Sequence, residues 1–417
     1  MIRIFRKFLN NAYGMTIIKK GIVILAGLIS MVLLTRYLGP ELKGEYSYFF
    51  NIATIGTTVL NLGISLVYPE YKRKEYDYRN LFISVSIIQF VLYMIVSMLF
   101  LFYSSTLNYG LVALLISISI LNLQLSQLNL VEDIRSHSLV IVVGAVSNCI
   151  FTLSIFFFFN SSVSLALLVF MLKNIIMIVL TLQVLKKGFR FEASKIFVKN
   201  ILIAGFLPML TTLLVSINYR IDIVLLGVLN VSYYDIGLYS VGVQLAEYSW
   251  MIPDIFKEVM LHKNARKDNV QEILFSLRMA NTAVAIFILI MALGGKYVIG
   301  ILFGSSFIGA YFITVVMFLA VPSMVYAKII ATLFIANGRW RFYFTTLCIA
   351  VVLNVVLNFI LVPFMGILGS SLASVISYGF SGAVFFIWFL RNTEARWNEM
   401  ILVRKCDIER GLLLLRR

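Results

Sequence analysis

Apolar runs long enough to cross a bilayer recur along the whole chain of 417 residues. An α-helix needs about 20 consecutive, mostly apolar residues to span the hydrocarbon core of a membrane. The pattern predicts twelve such spans separated by short polar loops, and hence an all-α integral membrane protein. The predicted spans are residues 16–37, 45–68, 81–103, 109–130, 138–159, 163–185, 200–229, 236–259, 276–302, 308–335, 342–363 and 366–390.

Composition and charge support this prediction. Hydrophobic residues make up 61% of the chain and charged residues only 13%, whereas soluble domains have about 45–50% apolar and about 25% charged residues. The net charge of +16 would suggest nucleic acid in a soluble protein. Here most of the 35 basic residues lie in alternate loops, such as KRKEYDYR and KKGFRFEASKIFVK. Because Lys and Arg concentrate in cytoplasmic loops, both termini are predicted to be cytoplasmic, with no nucleic-acid partner.

A weak internal repeat suggests two halves of similar architecture. The motif GEYS at residues 44–47 returns as GLYS at residues 237–240, a shift of 193 residues (237 minus 44). The same shift places the first predicted span on the seventh. We therefore expect two six-helix lobes, residues 1–190 and 191–390, with a substrate site between them. Residues 391–417 form a basic amphipathic cytoplasmic tail, predicted to lie along the anionic membrane surface.

Five charged residues lie inside predicted spans: Lys173, Arg220, Asp222, Glu247 and Lys328. A charge at the bilayer centre costs ~2.5–3.5 kcal/mol on insertion scales, so these side chains should face one another or a hydrated cavity. Two alternatives stay open. Arg220 and Lys328 can extend towards the membrane surface. Lys173 and Glu247 are too central for that, and for them the alternative is a structural ion pair between helices.

Helix geometry separates the two charges of the seventh span. Residues two apart point in different directions, so Arg220 and Asp222 are not a local ion pair. Asp222 shares a face with Asn218, and Arg220 shares another face with Ser216. One face would meet a central cavity and the other an adjoining helix. We expect Arg220 to face the cavity, with Asp222 tuning it or binding a coupling ion.

The eighth span carries a further polar face. Glu247 and Tyr248 follow Gln244 by three and four residues, so the three side chains fall on one side of a helix. They are predicted to line the same space, with Gln244, Tyr248 and Asn218 as supporting polar groups and Glu247 as a coupling-ion or ion-pair residue.

Catalytic signatures are absent from the sequence. It has no phosphate-binding glycine loop, no His-rich metal motif and no nucleophile elbow. Cys149, Cys348 and Cys406 have neither metal-ligand spacing nor disulfide spacing. The sequence therefore predicts a protein that is not an enzyme and holds no cofactor or metal, so any energy for transport must come from an ion gradient or the membrane potential.

Several segments resemble one family in their order and spacing. They are TRYLGPELKGEYSYF, NYRIDIVLLG, DIGLYSVGVQLAE, LFGSSFIGAYF and ANGRWRFYF followed by LNVVLNFILVPFMGILGSSLASVISY. Together they resemble the polysaccharide or O-antigen flippases of the multidrug/oligosaccharidyl-lipid/polysaccharide (MOP) exporter superfamily. One departure is KEVMLHKNARKD after the eighth span, which lacks the proline usual near there.

The resemblance implies a MATE-like, V-shaped pair of six-helix lobes in the bacterial cytoplasmic membrane. Such proteins move an undecaprenyl-pyrophosphate-linked oligosaccharide from the cytoplasmic to the periplasmic leaflet by alternating access. Lys173, Arg220 and Lys328 are available to bind the pyrophosphate, and Asp222 or Glu247 to bind a coupling H⁺ or Na⁺. Membrane lipid is an implied partner, with a polysaccharide polymerase and a chain-length regulator as candidate protein partners.

Three other functions compete with this interpretation. A cation-coupled exporter of small cationic drugs, from the same superfamily, would favour a net acidic cavity, whereas three of the five charged candidates here are basic. A membrane-integral O-antigen polymerase or ligase would carry a large external loop, and the predicted outer loops are short. A channel would need a pore-lining ring from several subunits, which nothing in the sequence indicates.

Overall fold

The computed structural model describes residues 12–74, 76–104, 106–186, 188–264, 270–336, 340–404 and 407. Within them the chain forms helices and no strand, which confirms the predicted all-α class. Two short 3₁₀ turns occur at Ser305–Phe307 and Trp397–Glu399. The α-helices are α1 (Ala12–Leu60), α2 (Ile64–Tyr71), α3 (Arg79–Tyr103), α4 (Leu107–Glu132), α5 (Ile134–Phe158), α6 (Val163–Leu185), α7 (Lys195–Val228), α8 (Tyr233–Asn264), α9 (Val270–Phe303), α10 (Ala310–Phe318), α11 (Val321–Ala336), α12 (Trp340–Met365) and α13 (Ile367–Asn392).

The helices account for most of the predicted spans, with one difference near the start. Among the described residues, nine helices are long and apolar enough to cross a membrane, or ten if the bent pair α10 and α11 is one span. Predicted spans one and two both lie in α1, which Gly39, with φ at 68° immediately before Pro40, breaks into two helical segments, and the second segment ends at Leu60 instead of at residue 68. Glycine adopts positive φ without the steric cost of a Cβ atom. A total of twelve spans and the cytoplasmic location of the termini stay predictions.

The chain divides into two compact units, Met1–Ser216 and Ile217–Arg417. We refer to them as the first and the second unit. The boundary falls inside α7, whereas the sequence placed the boundary between the lobes at residues 190 and 191. The charged pair Arg220 and Asp222 consequently belongs to the second unit.

Helix α4 lies at the centre of the first unit and contacts α1, α2, α3, α5 and α6. Its buried Gln124 donates hydrogen bonds to Asn61 Oδ1 at 3.0 Å and to Gln89 Oε1 at 2.8 Å. Gln89 in turn donates to the carbonyl of Leu60 at 2.7 Å, where α1 ends. Because no water is available in hydrocarbon, a helix end at membrane depth needs such internal partners. The buried amides therefore allow the chain to turn between α1 and α2.

Helices α8, α11 and α13 form the centre of the second unit. Close helix contact there depends on small residues. A Cβ atom added at Gly369 would lie 2.5 Å from the carbonyl oxygen of Leu361, and one added at Gly382 would lie 2.5 Å from that of Ser323. Both distances are too short for any side chain. These glycines let α13 approach α12 and α11 directly.

Replacing Gly382 by alanine should therefore destabilise the second unit. Overpacking of a close-packed interior costs ~1–3 kcal/mol, so we expect Gly382→Ala to lower the thermal unfolding midpoint of the purified protein. Gly379→Ala on the same helix is the matched control, because no heavy atom lies within 4 Å of its added Cβ. Equal unfolding midpoints for the two variants would contradict this packing.

Candidate functional site

The second unit buries the carboxylate of Asp222, which is 2% exposed on α7. Its Oδ2 atom accepts hydrogen bonds from the hydroxyl of Tyr239 on α8, at 2.9 Å, and from that of Ser374 on α13. In the part of the chain that the structure describes, no donor reaches Oδ1 and no basic nitrogen lies within 4.0 Å of the carboxylate. Burying an unmatched charge is costly, so this carboxylate is suited to binding a proton or a cation.

Buried amides and hydroxyls extend this group along α12 and α13. Asn354 donates to Ser374 Oγ at 3.4 Å, Asn358 donates to Asn354 Oδ1 at 3.1 Å, and Ser370 donates to Asn358 Oδ1 at 2.7 Å. The bonds from Asn354 to Ser374 and from Ser370 to Asn358 join α12 to α13. We call Asp222, Tyr239, Asn354, Asn358, Ser370 and Ser374 the Asp222 cluster.

Asn218 lies on the same face of α7 as Asp222, as helix geometry predicted. Its side-chain oxygen accepts from Ser377 at 3.1 Å, and its backbone carbonyl accepts from the hydroxyl of Tyr378 at 2.9 Å. Asn218, Ser377 and Tyr378 are all buried. The face that carries Asn218 and Asp222 therefore contacts α13 of the same unit, and Asp222 also contacts α8.

Lys328 on α11 is paired with a carboxylate that the sequence analysis did not single out. Its Nζ atom lies 2.8 Å from Oδ2 of Asp254 on α8. The ammonium also lies 5.5 Å from the ring centroid of Trp250 and 6.0 Å from that of Tyr219. The Lys328 side chain is 10% exposed and that of Asp254 is 45% exposed. Asp254 follows Glu247 by seven residues, so their shared helix face was the sequence signal for it.

Three aromatic rings link this ion pair to the Asn218 face. The ring centroids of Tyr219 and Trp250 are 5.3 Å apart, and those of Trp250 and Tyr378 are 5.4 Å apart. Tyr378 is also the residue that donates to Asn218. The second unit thus contains a continuous chain of contacts from the buried Asn218 to the Lys328–Asp254 pair.

The first unit carries its candidate cation, Lys173, on α6. The side chain is half-buried, and its ammonium lies 4.4 Å from the ring centroid of Phe170. Across the described residues, no carboxylate oxygen lies within 4.0 Å of Lys173. A cation–π contact provides ~0.5–2 kcal/mol, which is less than a matched ion pair in the same low dielectric. An anion would therefore stabilise the charged form of Lys173 more strongly than the ring of Phe170 does.

The remaining predicted residues all lie in the second unit. Arg220, Gln244, Glu247 and Tyr248 are half-buried on α7 and α8. The structure thus places Lys173 in one unit, and Arg220 and Lys328 in the other. The roles predicted for these residues stay predictions.

The fold is similar to that of solved membrane transporters. A structure of the lipid II flippase MurJ in an inward closed conformation aligns with a TM-score of 0.71 and 16% identity, over 90% of this chain and 87% of that one. An inward-facing multidrug resistance MATE family transporter of the MOP superfamily aligns with a TM-score of 0.70 and 15% identity, over 89% of this chain and 96% of that one. No protein-family model and no curated protein sequence matches the chain. The chain therefore has the fold of these two transporters.

The two halves of the chain are not chemically equivalent. The internal shift of 193 residues places Tyr239 on Tyr46 and Asp222 on Ile29 (222 minus 193). Both tyrosines are buried, but only Tyr239 has a carboxylate as its partner. The predicted MATE-like fold is confirmed, and the Asp222 cluster lies in the second half of the chain.

Proposed function

We propose that this protein is a flippase for an undecaprenyl-pyrophosphate-linked oligosaccharide, an O-antigen or capsule repeat unit. It would move this lipid from the cytoplasmic to the periplasmic leaflet of the bacterial cytoplasmic membrane by alternating access. The observation that carries the proposal is Lys173, a cation on a membrane-spanning helix with no carboxylate within 4.0 Å among the described residues. Intramembrane charges of this kind mark the paths of substrates and ions.

A pyrophosphate fits the charge balance of these residues. Lys173 has no neutralising partner in the part of the chain described, so binding an anion removes the cost of holding its charge in low dielectric. Lys328 is already neutralised by Asp254. Since Asp254 is nearly half exposed, it can turn to water when an arriving anion replaces it. Arg220 is the third candidate cation, and the lipid tail of the substrate can remain in the bilayer.

The Asp222 cluster supports ion coupling of this transport. Ionised, the Asp222 carboxylate has two hydroxyl donors but no cation near it in the described structure. Binding of H⁺ or Na⁺ would neutralise it, and the neighbouring amide and hydroxyl oxygens are suitable ligands for such an ion. Unlike a nucleotide-driven pump, this arrangement needs no soluble domain.

A cation-coupled exporter of small molecules is the second candidate. The unmatched Asp222 favours it, because a buried carboxylate also attracts organic cations, and the fold is shared with a multidrug MATE transporter. Lys173 argues against it, since an unmatched cation repels a cationic drug. We place the flippase first for this reason, and the following variants separate the two candidates.

Removing the charge of Lys173 should abolish or strongly reduce export of the lipid-linked sugar. We expect Lys173→Gln to lose surface polysaccharide in cells that lack their own flippase, at equal membrane expression, while Lys173→Arg keeps part of it. Lys296→Gln is the matched control, because the Lys296 ammonium also lies over a ring, 5.4 Å from that of Tyr311, but is exposed. Full surface polysaccharide with Lys173→Gln would exclude this residue from anion binding.

Neutralising Asp222 should uncouple transport from ion gradients. Asp222→Asn keeps a side-chain oxygen that can accept from Tyr239 and Ser374. Its amide carries no charge and does not take up a proton in the pH range in which a carboxylate does. We expect the variant in proteoliposomes to stay folded and to lose its response to an imposed proton or sodium gradient. Asp235→Asn, at a half-buried carboxylate in the first turn of α8, is the control. A wild-type gradient response in Asp222→Asn would refute coupling at this site.

A further inference from the structure

The described part of the C-terminal tail folds against helix α9 of the second unit. Asp407 and Arg278 are buried, with side chains 3% and 7% exposed. Arg278 donates from Nε to Asp407 Oδ2 at 2.6 Å and from Nη2 to Asp407 Oδ1 at 2.6 Å. These hydrogen bonds lower the pKa of the Asp407 carboxyl below its usual range. The pair is therefore a bidentate, fully charged clamp.

Three backbone contacts hold the tail on either side of this clamp. Arg278 Nη1 donates to the carbonyl of Glu399 at 3.0 Å. The Asn281 side chain donates to the carbonyl of Met400 at 2.9 Å, and the backbone N–H of Val403 donates to Thr282 Oγ1 at 3.0 Å. Residues 397–404 together with Asp407 thus cross α9 over slightly more than one turn, and we call them the tail strap. A membrane-surface tail, as the sequence predicted, would need none of these contacts.

The tail strap is also connected to α11, which carries Lys328. The Asn281 side chain that bonds Met400 donates to the hydroxyl of Tyr326 as well, at 3.1 Å. The ring of Tyr326 packs against Phe386 on α13, with centroids 4.9 Å apart. Tyr326 and Lys328 are two residues apart, so they point to nearly opposite sides of α11. One side of α11 therefore meets α9, whose Asn281 also holds the tail strap, and the other side carries the Lys328–Asp254 pair.

We propose that the tail strap is a positioning element that holds α11 against α9 and thereby sets where Lys328 lies. The proposal rests on the proposed function only for the role of Lys328 towards an anionic substrate. Burying a charged pair has a desolvation cost that simple anchoring of a tail does not require. Arg404 and Glu399 in the same segment form a contrasting pair at 3.6 Å, whose side chains are 46% and 30% exposed. An exposed ion pair of this kind contributes little to holding the segment in place.

The position of Lys328 can be followed by thiol labelling of the purified full-length protein. Lys328→Cys is placed in a background in which Cys149, Cys348 and Cys406 are serine, and its rate of reaction with a water-soluble maleimide is measured. We expect Asp407→Asn to change this rate several-fold, because α11 loses its support. Arg404→Gln is the matched control, since it removes the exposed pair of the same tail segment, and should leave the rate unchanged.

Limited proteolysis of the same samples reports whether the tail is released. A released tail with an unchanged labelling rate would overturn the proposal, and so would a tail that stays protected in Asp407→Asn. If Asp407→Asn does not fold, Arg278→Lys keeps the charge but loses the bidentate fork, and the same two readouts apply to it, with a smaller change in the labelling rate expected.

The labelling experiment tests the tail strap and the transport experiments test the proposed function, so either hypothesis can fail without the other. Labelling at position 328 needs no substrate, so it tests the tail strap even if the protein carries something other than a lipid-linked sugar. In transport assays with Lys328 intact, we expect Asp407→Asn to raise the apparent KM for the lipid-linked substrate more than it lowers the maximal rate. Loss of transport in Lys173→Gln with wild-type labelling in Asp407→Asn would retain the function and exclude the strap.

Discussion

A charge inside a membrane must be matched by an opposite charge, a hydrogen-bond network or a ligand, and this constraint governs the second unit. Arg278 is matched by Asp407, and Lys328 by Asp254. Asp222 has hydroxyl donors but no basic nitrogen within 4.0 Å among the described residues. The tail, α8, α11 and α13 are positioned by the residues that meet these charges, so the packing of the unit follows from the cost of leaving a charge alone in low dielectric.

The proposed function rests on two charged residues that have no opposite charge within 4.0 Å in the described structure. Lys173 in the first unit is suited to an anion, and Asp222 in the second unit to a proton or metal cation. Each ligand would lower the cost of burying the residue that binds it, so each favours the conformations in which that residue is inaccessible to water. Under the proposed function, a lipid-linked pyrophosphate and a coupling ion would then drive one another's movement.

Much of this could be predicted from the sequence, because helix spans and helix faces are local properties. The period of 3.6 residues separated Asp222 from Arg220, and the apolar runs located nearly every helix. The partner that a charged residue meets on another segment could not be predicted in this way. Asp254 pairs with Lys328 across 74 residues and Asp407 with Arg278 across 129 residues, and helix periodicity carries no information on such pairs.

The central claim is tested most directly by reconstituting the purified protein in vesicles with a fluorescent undecaprenyl-pyrophosphate-linked oligosaccharide. A membrane-impermeant quencher then reports how much of the lipid has changed leaflet. The account predicts protein-dependent translocation that a short-chain pyrophosphate analogue inhibits and a cationic dye does not, with Lys173→Gln inactive. Vesicles in which the labelled lipid stays in its leaflet, while a cationic dye moves across the membrane in response to an ion gradient, would contradict it.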